Sequence, residues 1–277
     1  MKKILVTTDF SANSKAAIRF AIQVASQWEV SLTFLHVQHV MRMTSWDEAT
    51  HAAYEKNEVA KARKTLDDFI ESIYETLKIS PQNYTCVIHN SPFVDSTIMD
   101  YAADRAFDFI CISARGAGMV EKLFGTTTAN LINQSTVPII AVPGNYRAAK
   151  VASILYASDL SDLKFQLTRV VDFARPLGAT VELIHFSGPS EPVTDPEIID
   201  MAVQKFTDYP VEVQLKPRDL SVTLADDIES AINVRKPSML IMFTKQNEGF
   251  FARLFLSGNS VDCLFLTTVP LLVFSQT

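Results

Sequence analysis

Apolar runs alternate with helical stretches along the chain. Runs such as 30–37 (VSLTFLHV) and 107–113 (FDFICIS) are rich in β-branched and apolar residues and hardly alternate in polarity, which is typical of strands buried on both faces. Between such runs, apolar residues recur every three or four positions, as at Ala16, Phe20 and Val24, and this spacing indicates amphipathic helices. Strands that alternate with helices favour parallel sheets joined by right-handed crossovers.

The same pattern occurs twice. Residues 3–9 (KILVTTD) match 153–159 (SILYASD), and residues 136–142 (TVPIIAV) match 268–274 (TVPLLVF). Each copy reads as strand, helix, strand, helix, strand, helix, strand, helix, strand. The repeat therefore predicts an α/β protein with two tandem, open, five-stranded parallel sheets and helices on both faces of each.

The boundary between the copies is predicted in the segment 144–150 (GNYRAAK), where a glycine, an asparagine and charges mark a turn or short linker. We assign residues 1–147 to the first domain and residues 148–277 to the second. A length of 277 residues suits two domains of this size.

The copies differ in their second helix, which we predict from about residue 46 to 77 in copy one and only from about 196 to 207 in copy two. The shorter helix is expected to leave part of its sheet face bare, so that another surface covers it. The inward positions predicted for the long helix are Ala60, Leu66, Phe69, Ile70 and Ile73.

Composition and charge limit the kinds of molecule that the chain is expected to bind. Hydrophobic residues make up 48% of the chain, and the net charge is −6. An acidic chain argues against binding to nucleic acid or anionic lipid, which depends on many Lys and Arg contacts with phosphate. No apolar segment approaches the length of a membrane span. The apolar run at the N-terminus is too short and too polar for a signal peptide.

Three isolated cysteines, Cys86, Cys111 and Cys263, show no spacing typical of a metal or redox site and suggest a reducing compartment. We therefore predict a cytoplasmic protein, in which Cys111 lies in the buried core. His36 and His39 are not predicted to bind a metal together, because side chains three apart on an extended strand point in opposite directions.

The candidate chemistry lies at the ends of strands in copy one. In an open parallel sheet, the ligand binds beyond the carboxyl ends of the strands, at the point where the strand order reverses. Segments 7–9, 36–38 and 113–118 close three of the predicted strands. Residues 125–128 (GTTT) then open a helix, whose free N–H groups and dipole favour an anion. A turn followed by an ordinary helix cap is the alternative interpretation.

These residues resemble the universal stress protein family, and the resemblance extends over nearly all of both halves. Residues 7–21 (TTDFSANSKAAIRFA) are similar to the family's opening strand, aspartate and first helix, and 34–37 (FLHV) to its second strand. Residues 113–126 are similar to its signature, Gly-x2-Gly-x9-Gly-(Ser/Thr). The resemblance implies a Rossmann-like fold of the adenine nucleotide alpha hydrolase type, and in relatives the last strands of two domains pair antiparallel.

The resemblance also implies a site for ATP or another adenine nucleotide, alone or with magnesium. In nucleotide-binding members, adenine lies near the aspartate and the end of the second strand, which here gives Asp9 and the backbone of Val37. The glycine loop and the hydroxyl residues after it hold ribose and phosphates. The residues so assigned are Thr8, Asp9, Val37, Arg115, Gly116, Gly118, Gly125, Thr126 and Thr127.

Both copies depart from the family signature. In copy one, Ser113 stands at the first glycine, and eight residues instead of nine separate Gly116 from Gly125. In copy two, Asp159 lines up with Asp9, but Phe243 replaces the first glycine of the loop. We therefore expect copy two to be degenerate, with a structural or regulatory role.

The sequence thus predicts a stress-response protein whose N-terminal domain binds an adenine nucleotide as a sensor or switch. No residue stands out as a general base, so hydrolysis is expected to be slow if it occurs. The alternatives are a nucleotide-free interaction module of the same fold and a slow ATPase or nucleotidyl-transfer enzyme. The expected partners are the second copy in an intrachain pseudo-dimer, a second chain in a homodimer, and an unidentified protein.

Overall fold

The structure, a computed structural model, describes residues 1–81, 83–114, 126–188, 195–219, 221–245 and 268–276. Contacts divide the described chain into two units, of which the first extends to Ala148 and the second begins at Ala149. Each unit is an α/β sandwich, as the alternation of strands and helices predicted.

The described residues of unit one form five strands and four helices in strict alternation. They are β1 (Lys2–Thr7), α1 (Ser14–Ala25), β2 (Val30–Gln38), α2 (Glu48–Leu77), β3 (Tyr84–Asn90), α3 (Val94–Asp104), β4 (Phe109–Ala114), α4 (Thr126–Gln134) and β5 (Ile139–Pro143). The strand order is β3-β2-β1-β4-β5, and each neighbouring pair is parallel.

Unit two repeats this order as far as it is described. Its elements are β6 (Ser153–Ala157), α5 (Leu163–Leu177), β7 (Thr180–Ser187), α6 (Pro196–Phe206), β8 (Val211–Pro217), α7 (Leu224–Arg235), β9 (Met239–Lys245) and β10 (Leu271–Gln276). The strands follow the order β10-β9-β6-β7-β8 and are again parallel. The helix predicted between the last two strands lies in 246–267, outside the described residues.

The core of each unit lies on both sides of its central strands. In β1, Ile4, Leu5 and Val6 are almost wholly buried, which explains why this run does not alternate in polarity. Cys111 in β4 is also buried, so its predicted place in the core is confirmed. Burial raises the pKa of the Cys111 thiol and keeps it uncharged.

The crossovers divide the helices of unit one between the two faces of the sheet. Helix α1 packs against α2, and α3 packs against α4. Strand β1 lies between β2 and β4, so the strand order reverses there, and the crossovers on its two sides cover opposite faces. This reversal leaves a crevice at the carboxyl ends of β1 and β4, and β6 and β9 form the corresponding point in unit two.

The long and short second helices are confirmed, but one inward position is wrong. Leu66, Ile70 and Ile73 are buried and Phe69 is half-buried, whereas Ala60 is exposed. At 3.6 residues per turn, Ala60 lies about 120° around the helix from Leu66, off the inward face.

Candidate functional site

The candidate site begins where β1 ends, in a tight loop that leads into α1. Thr8 Oγ1 lies 2.8 Å from Ser14 Oγ, and the N–H of Phe10 donates to Thr8 Oγ1 at 3.1 Å. Ser14 Oγ also donates to the carbonyl of Ser11 at 2.9 Å. Phe10 has a φ of +63°, so the chain turns sharply directly after Asp9. These bonds fix the loop and leave the aspartate at its surface.

Asp9 itself is exposed, and its Oδ1 accepts a hydrogen bond from the N–H of Ser11 at 2.9 Å. Partial burial acts to raise the pKa of Asp9, but hydrogen bonds from Ser11 and Ser14 outweigh that effect and hold the pKa below its ordinary value. The carboxyl group is therefore ionised at neutral pH and can accept further hydrogen bonds.

A histidine on β2 holds this loop in place. His36 Nδ1 lies 2.8 Å from the carbonyl oxygen of Thr8, and because a carbonyl only accepts, Nδ1 must carry the hydrogen. The ring of Phe10 lies against the His36 ring at 4.3 Å between centroids. Unit two has the same bond, from His185 to the carbonyl of Ser158 at 2.8 Å. The matching positions of the two histidines were the available signal for this role, which sequence reasoning missed.

Ser113, which the sequence presents only as a missing glycine, binds the same loop from β4. Its Oγ lies 2.6 Å from the carbonyl of Asn13 and 3.4 Å from that of Val142. A hydroxyl at this position therefore links the end of β4 to the start of α1. A glycine could not make this bond, so the departure from the signature has a structural reason.

Val37 lies near the end of β2, in the part of the strand that extends beyond the end of β1. The parallel pairing of these strands ends at Thr7 and Leu35, followed by one bond from the N–H of Thr8 to the carbonyl of Leu35 at 3.0 Å. Strand β2 continues to Gln38 beside β3. Its other edge at Val37 therefore faces the loop that carries Asp9. These contacts place Thr8 beside the end of β2, with Asp9 next in the loop and Val37 two residues beyond Leu35 on the strand.

The predicted phosphate half of the site is described only in part. Helix α4 begins at Thr126, as the GTTT segment predicted, and Thr127 is half-buried near its start. Arg115, Gly116, Gly118 and Gly125 lie outside the described residues, so their predicted roles stay predictions.

The corresponding place in unit two is filled by the unit's own side chains. Asp159 Oδ1 accepts from Ser161 N–H at 3.0 Å, from Ser161 Oγ at 2.8 Å and from Gln166 Nε2 at 3.1 Å. The buried Gln166 side chain also accepts from the hydroxyl of Tyr156, which lies 2.8 Å from Ser158 Oγ. Burial raises the pKa of Tyr156, so its hydroxyl stays protonated. Asp159 is therefore committed to internal partners where Asp9 is exposed.

The described part of the chain contains neither a candidate metal site nor a candidate membrane span. No group of three or more His, Cys, Asp or Glu side chains is placed there to hold a metal ion. Among the helices of the described ranges, none is both long enough and apolar enough to cross a membrane.

Each unit is an α/β sandwich with a parallel sheet and a crevice where the strand order reverses. This architecture belongs to the Rossmann-like class of adenine nucleotide alpha hydrolase-like folds. Within that class, the model of the universal stress protein family matches residues 1–143. The chain belongs to the universal stress protein family, as its residues predicted.

Individual relatives agree with this assignment. A universal stress protein of Mycolicibacterium smegmatis (strain ATCC 700084 / mc(2)155) is 28% identical over 155 residues, which cover 53% of this chain and 49% of that relative. The match thus spans about half the length of the relative. The crystal structure of a universal stress protein from Archaeoglobus fulgidus DSM 4304 is similar over 99% of this chain and 98% of its own, with a TM-score of 0.73 and 15% identity. At that identity, the likeness shows the fold.

Proposed function

We propose that unit one binds an adenine nucleotide at the carboxyl edge of its sheet, and that binding acts as a sensor or switch in a cytoplasmic stress response. The observation that carries the proposal is the exposed Asp9 carboxylate, in the loop that follows β1 at the point where the strand order reverses. Family membership adds weight, because the aspartate and the second strand are where the family's nucleotide-binding members place adenine.

The chemistry of this pair suits an adenine edge. Adenine offers an exocyclic amino group that donates and ring nitrogens that accept. The Asp9 carboxylate can accept from the amino group, and the backbone of Val37 supplies one donor and one acceptor. The start of α4 at Thr126 offers free N–H groups and the positive end of a helix dipole, which favour phosphate. In this proposal the predicted loop residues Arg115, Gly116, Gly118 and Gly125 complete the ribose and phosphate contacts.

Further parts of the proposal follow from the same site. Magnesium would arrive with the nucleotide phosphates, and no described side chain at the site is placed as a general base, so ATP hydrolysis would be slow at most. Unit two would serve as a degenerate copy. The intrachain pseudo-dimer, the homodimer and a protein partner remain predictions.

Calorimetric titration of the purified chain with ATP, ADP and AMP in the presence of magnesium tests this function. We expect about one site per chain. Asp9→Ala should weaken binding at least tenfold, roughly 1.4 kcal/mol or more, because the adenine edge loses its acceptor. Asp159→Ala is the matched control and should leave the affinity unchanged. Gly125→Val tests the phosphate half separately.

A chain that binds no adenine nucleotide at about 1 mM would contradict the proposal. The protein would then be the nucleotide-free interaction module of the same fold. Equal losses in Asp9→Ala and Asp159→Ala would instead argue against placing the site in unit one.

A further inference from the structure

Unit two contains a cleft at the opposite end of its sheet from the strand-end crevice. It has a volume of about 600 Å³ and lies between α6 and the first residues of β7 and β8. Its apolar floor includes Val181, Val203 and Val211, and its rim includes Asp200 and Asp208.

The strand register shows which residues of unit one correspond to this floor. In unit one, Ile4 pairs with Leu32, and Leu32 pairs with Tyr84. In unit two, the matching Ile154 pairs with Val181, and Val181 pairs with Val211. Val211 therefore occupies the place of Tyr84.

The helix ends supply the second correspondence. Tyr74 lies three residues before the end of α2 at Leu77, and Val203 lies three residues before the end of α6 at Phe206. In unit one, the Tyr74 and Tyr84 rings stack with 5.5 Å between centroids and 20° between planes. Unit two has valines at these two positions, and both valines line the cleft.

The rim adds a preference for positive charge. Asp200 and Asp208 are exposed, and the Arg175 guanidinium already bonds to Asp208. That guanidinium also lies over the ring of Tyr209 at 5.2 Å from its centroid, so a cation and an aromatic ring meet at this rim within the protein itself. A second cation beside Asp200 would find a further carboxylate. Glu212 does not contribute, because it alternates with Val211 and pairs with Glu182, which forms an ion pair with Arg235 of α7 on the opposite face of the sheet.

We propose that this cleft is a binding site for a small molecule that joins a flat aromatic ring system to an ammonium group. The ring takes the space of the missing tyrosine pair on Val203 and Val211, and the ammonium group lies at the acidic rim. The site is separate from the proposed nucleotide site and does not depend on it.

Calorimetry with three probes tests both halves of this proposal. Tryptamine carries a two-ring system and an ammonium group, indole-3-propionate carries the same ring with a carboxylate, and propylamine has no ring. We expect tryptamine to bind with a Kd of about 1 mM or below, and the other two at least tenfold more weakly.

Two matched variants locate the site. Val211→Tyr restores the ring that unit one has at Tyr84, so it should weaken tryptamine binding at least tenfold. Val234→Tyr adds the same ring at a position that is 71% exposed and does not line the cleft, so it should leave the affinity unchanged. Asp200→Asn should weaken binding severalfold through loss of charge alone.

Absence of tryptamine binding at about 5 mM would overturn the proposal, as would unchanged affinity in Val211→Tyr. Equal binding of indole-3-propionate would overturn the role of the acidic rim. If Val211→Tyr does not fold, Asp200→Asn decides the question: an affinity equal to that of the unaltered chain would overturn the proposal, and a severalfold loss would support it.

Discussion

In both units the first strand is followed by a hydroxyl residue and an aspartate, and the two units surround that aspartate differently. Around Asp9, the hydroxyls of Thr8 and Ser14 bond to each other and to the loop, and the carboxylate stays exposed. Around Asp159, the side chain of Gln166 reaches from α5 and bonds to the carboxylate. The same backbone turn thus supports an available carboxylate in one unit and an internally bonded one in the other.

At the amino ends of the strands, unit one is filled by side chains and unit two is the more open. In unit one, the ring of Tyr74 on α2 stacks on the ring of Tyr84 on β3. Unit two has Val203, Val211 and a cleft instead. Unit two has therefore gained side-chain volume at the carboxyl ends of its strands, where Tyr156 replaces Val6, and lost it at the amino ends. A repeated fold can move its available concave surface from one end of the sheet to the other with few substitutions.

The largest expected effect tests the packing half of this comparison. Tyr74→Ala should lower the free energy of unfolding by about 3–5 kcal/mol, because it removes a buried ring from the core of unit one. Val203→Ala, the matched change in unit two, removes much less buried volume and should cost about 2 kcal/mol. Chemical denaturation of both variants measures the difference. Similar losses would mean that Tyr74 contributes no more packing than Val203 does.

A smaller effect tests the polar half. Gln166→Leu should cost about 1–3 kcal/mol, because it leaves the buried Tyr156 hydroxyl without the acceptor that Gln166 provides. The double variant Tyr156→Phe with Gln166→Leu removes both partners and should recover most of that loss. Thermal unfolding of the single and double variants measures this recovery. No recovery would show that Gln166 acts through Asp159 or through packing instead.

The fold was predictable because its signals are local or repeated. The apolar runs and the match of KILVTTD to SILYASD required no knowledge of contacts, and the lengths of α2 and α6 followed from helical spacing. The error at Ala60 came from extending the inward face without keeping the phase of the helix. Predicting Asp9 and Val37 depended on the family resemblance and on the rule for strand ends.

The polar network of unit two was not predictable from the sequence in the same way. Tyr156 stands in a strand that reads as apolar, and Gln166 lies ten residues further along in a helix. Their bond exists only because α5 packs over β6 with the side chain of Gln166 turned inward. The tyrosine pair of unit one likewise joins a helix and a strand, and its absence from unit two becomes visible only when the strand register aligns Tyr84 with Val211.

The smallest expected effect concerns the charge of Asp9. Its pKa is lower in the folded chain than in the unfolded chain, so the ionised carboxylate stabilises the fold above its unfolded pKa. That contribution is lost as the pH falls below about 4 and passes through the folded pKa. Because Asp9 is mostly exposed, the contribution should stay below about 1 kcal/mol.

The measurement is the unfolding free energy of the unaltered chain relative to Asp9→Asn, which cannot titrate, at pH 7 and again below about pH 4. The stability advantage of the unaltered chain over Asp9→Asn should shrink at the lower pH. In an NMR titration of the carboxyl carbon, Ser11→Ala should raise the pKa of Asp9, because the hydrogen bond from the Ser11 hydroxyl is lost while burial still acts to raise it. The bond from the Ser11 backbone N–H remains in this variant. Ser161→Ala, the same change in unit two, should leave the pKa of Asp9 where it is. A pKa of Asp9 that does not rise in Ser11→Ala would mean that the Ser11 hydroxyl does not hold this carboxylate.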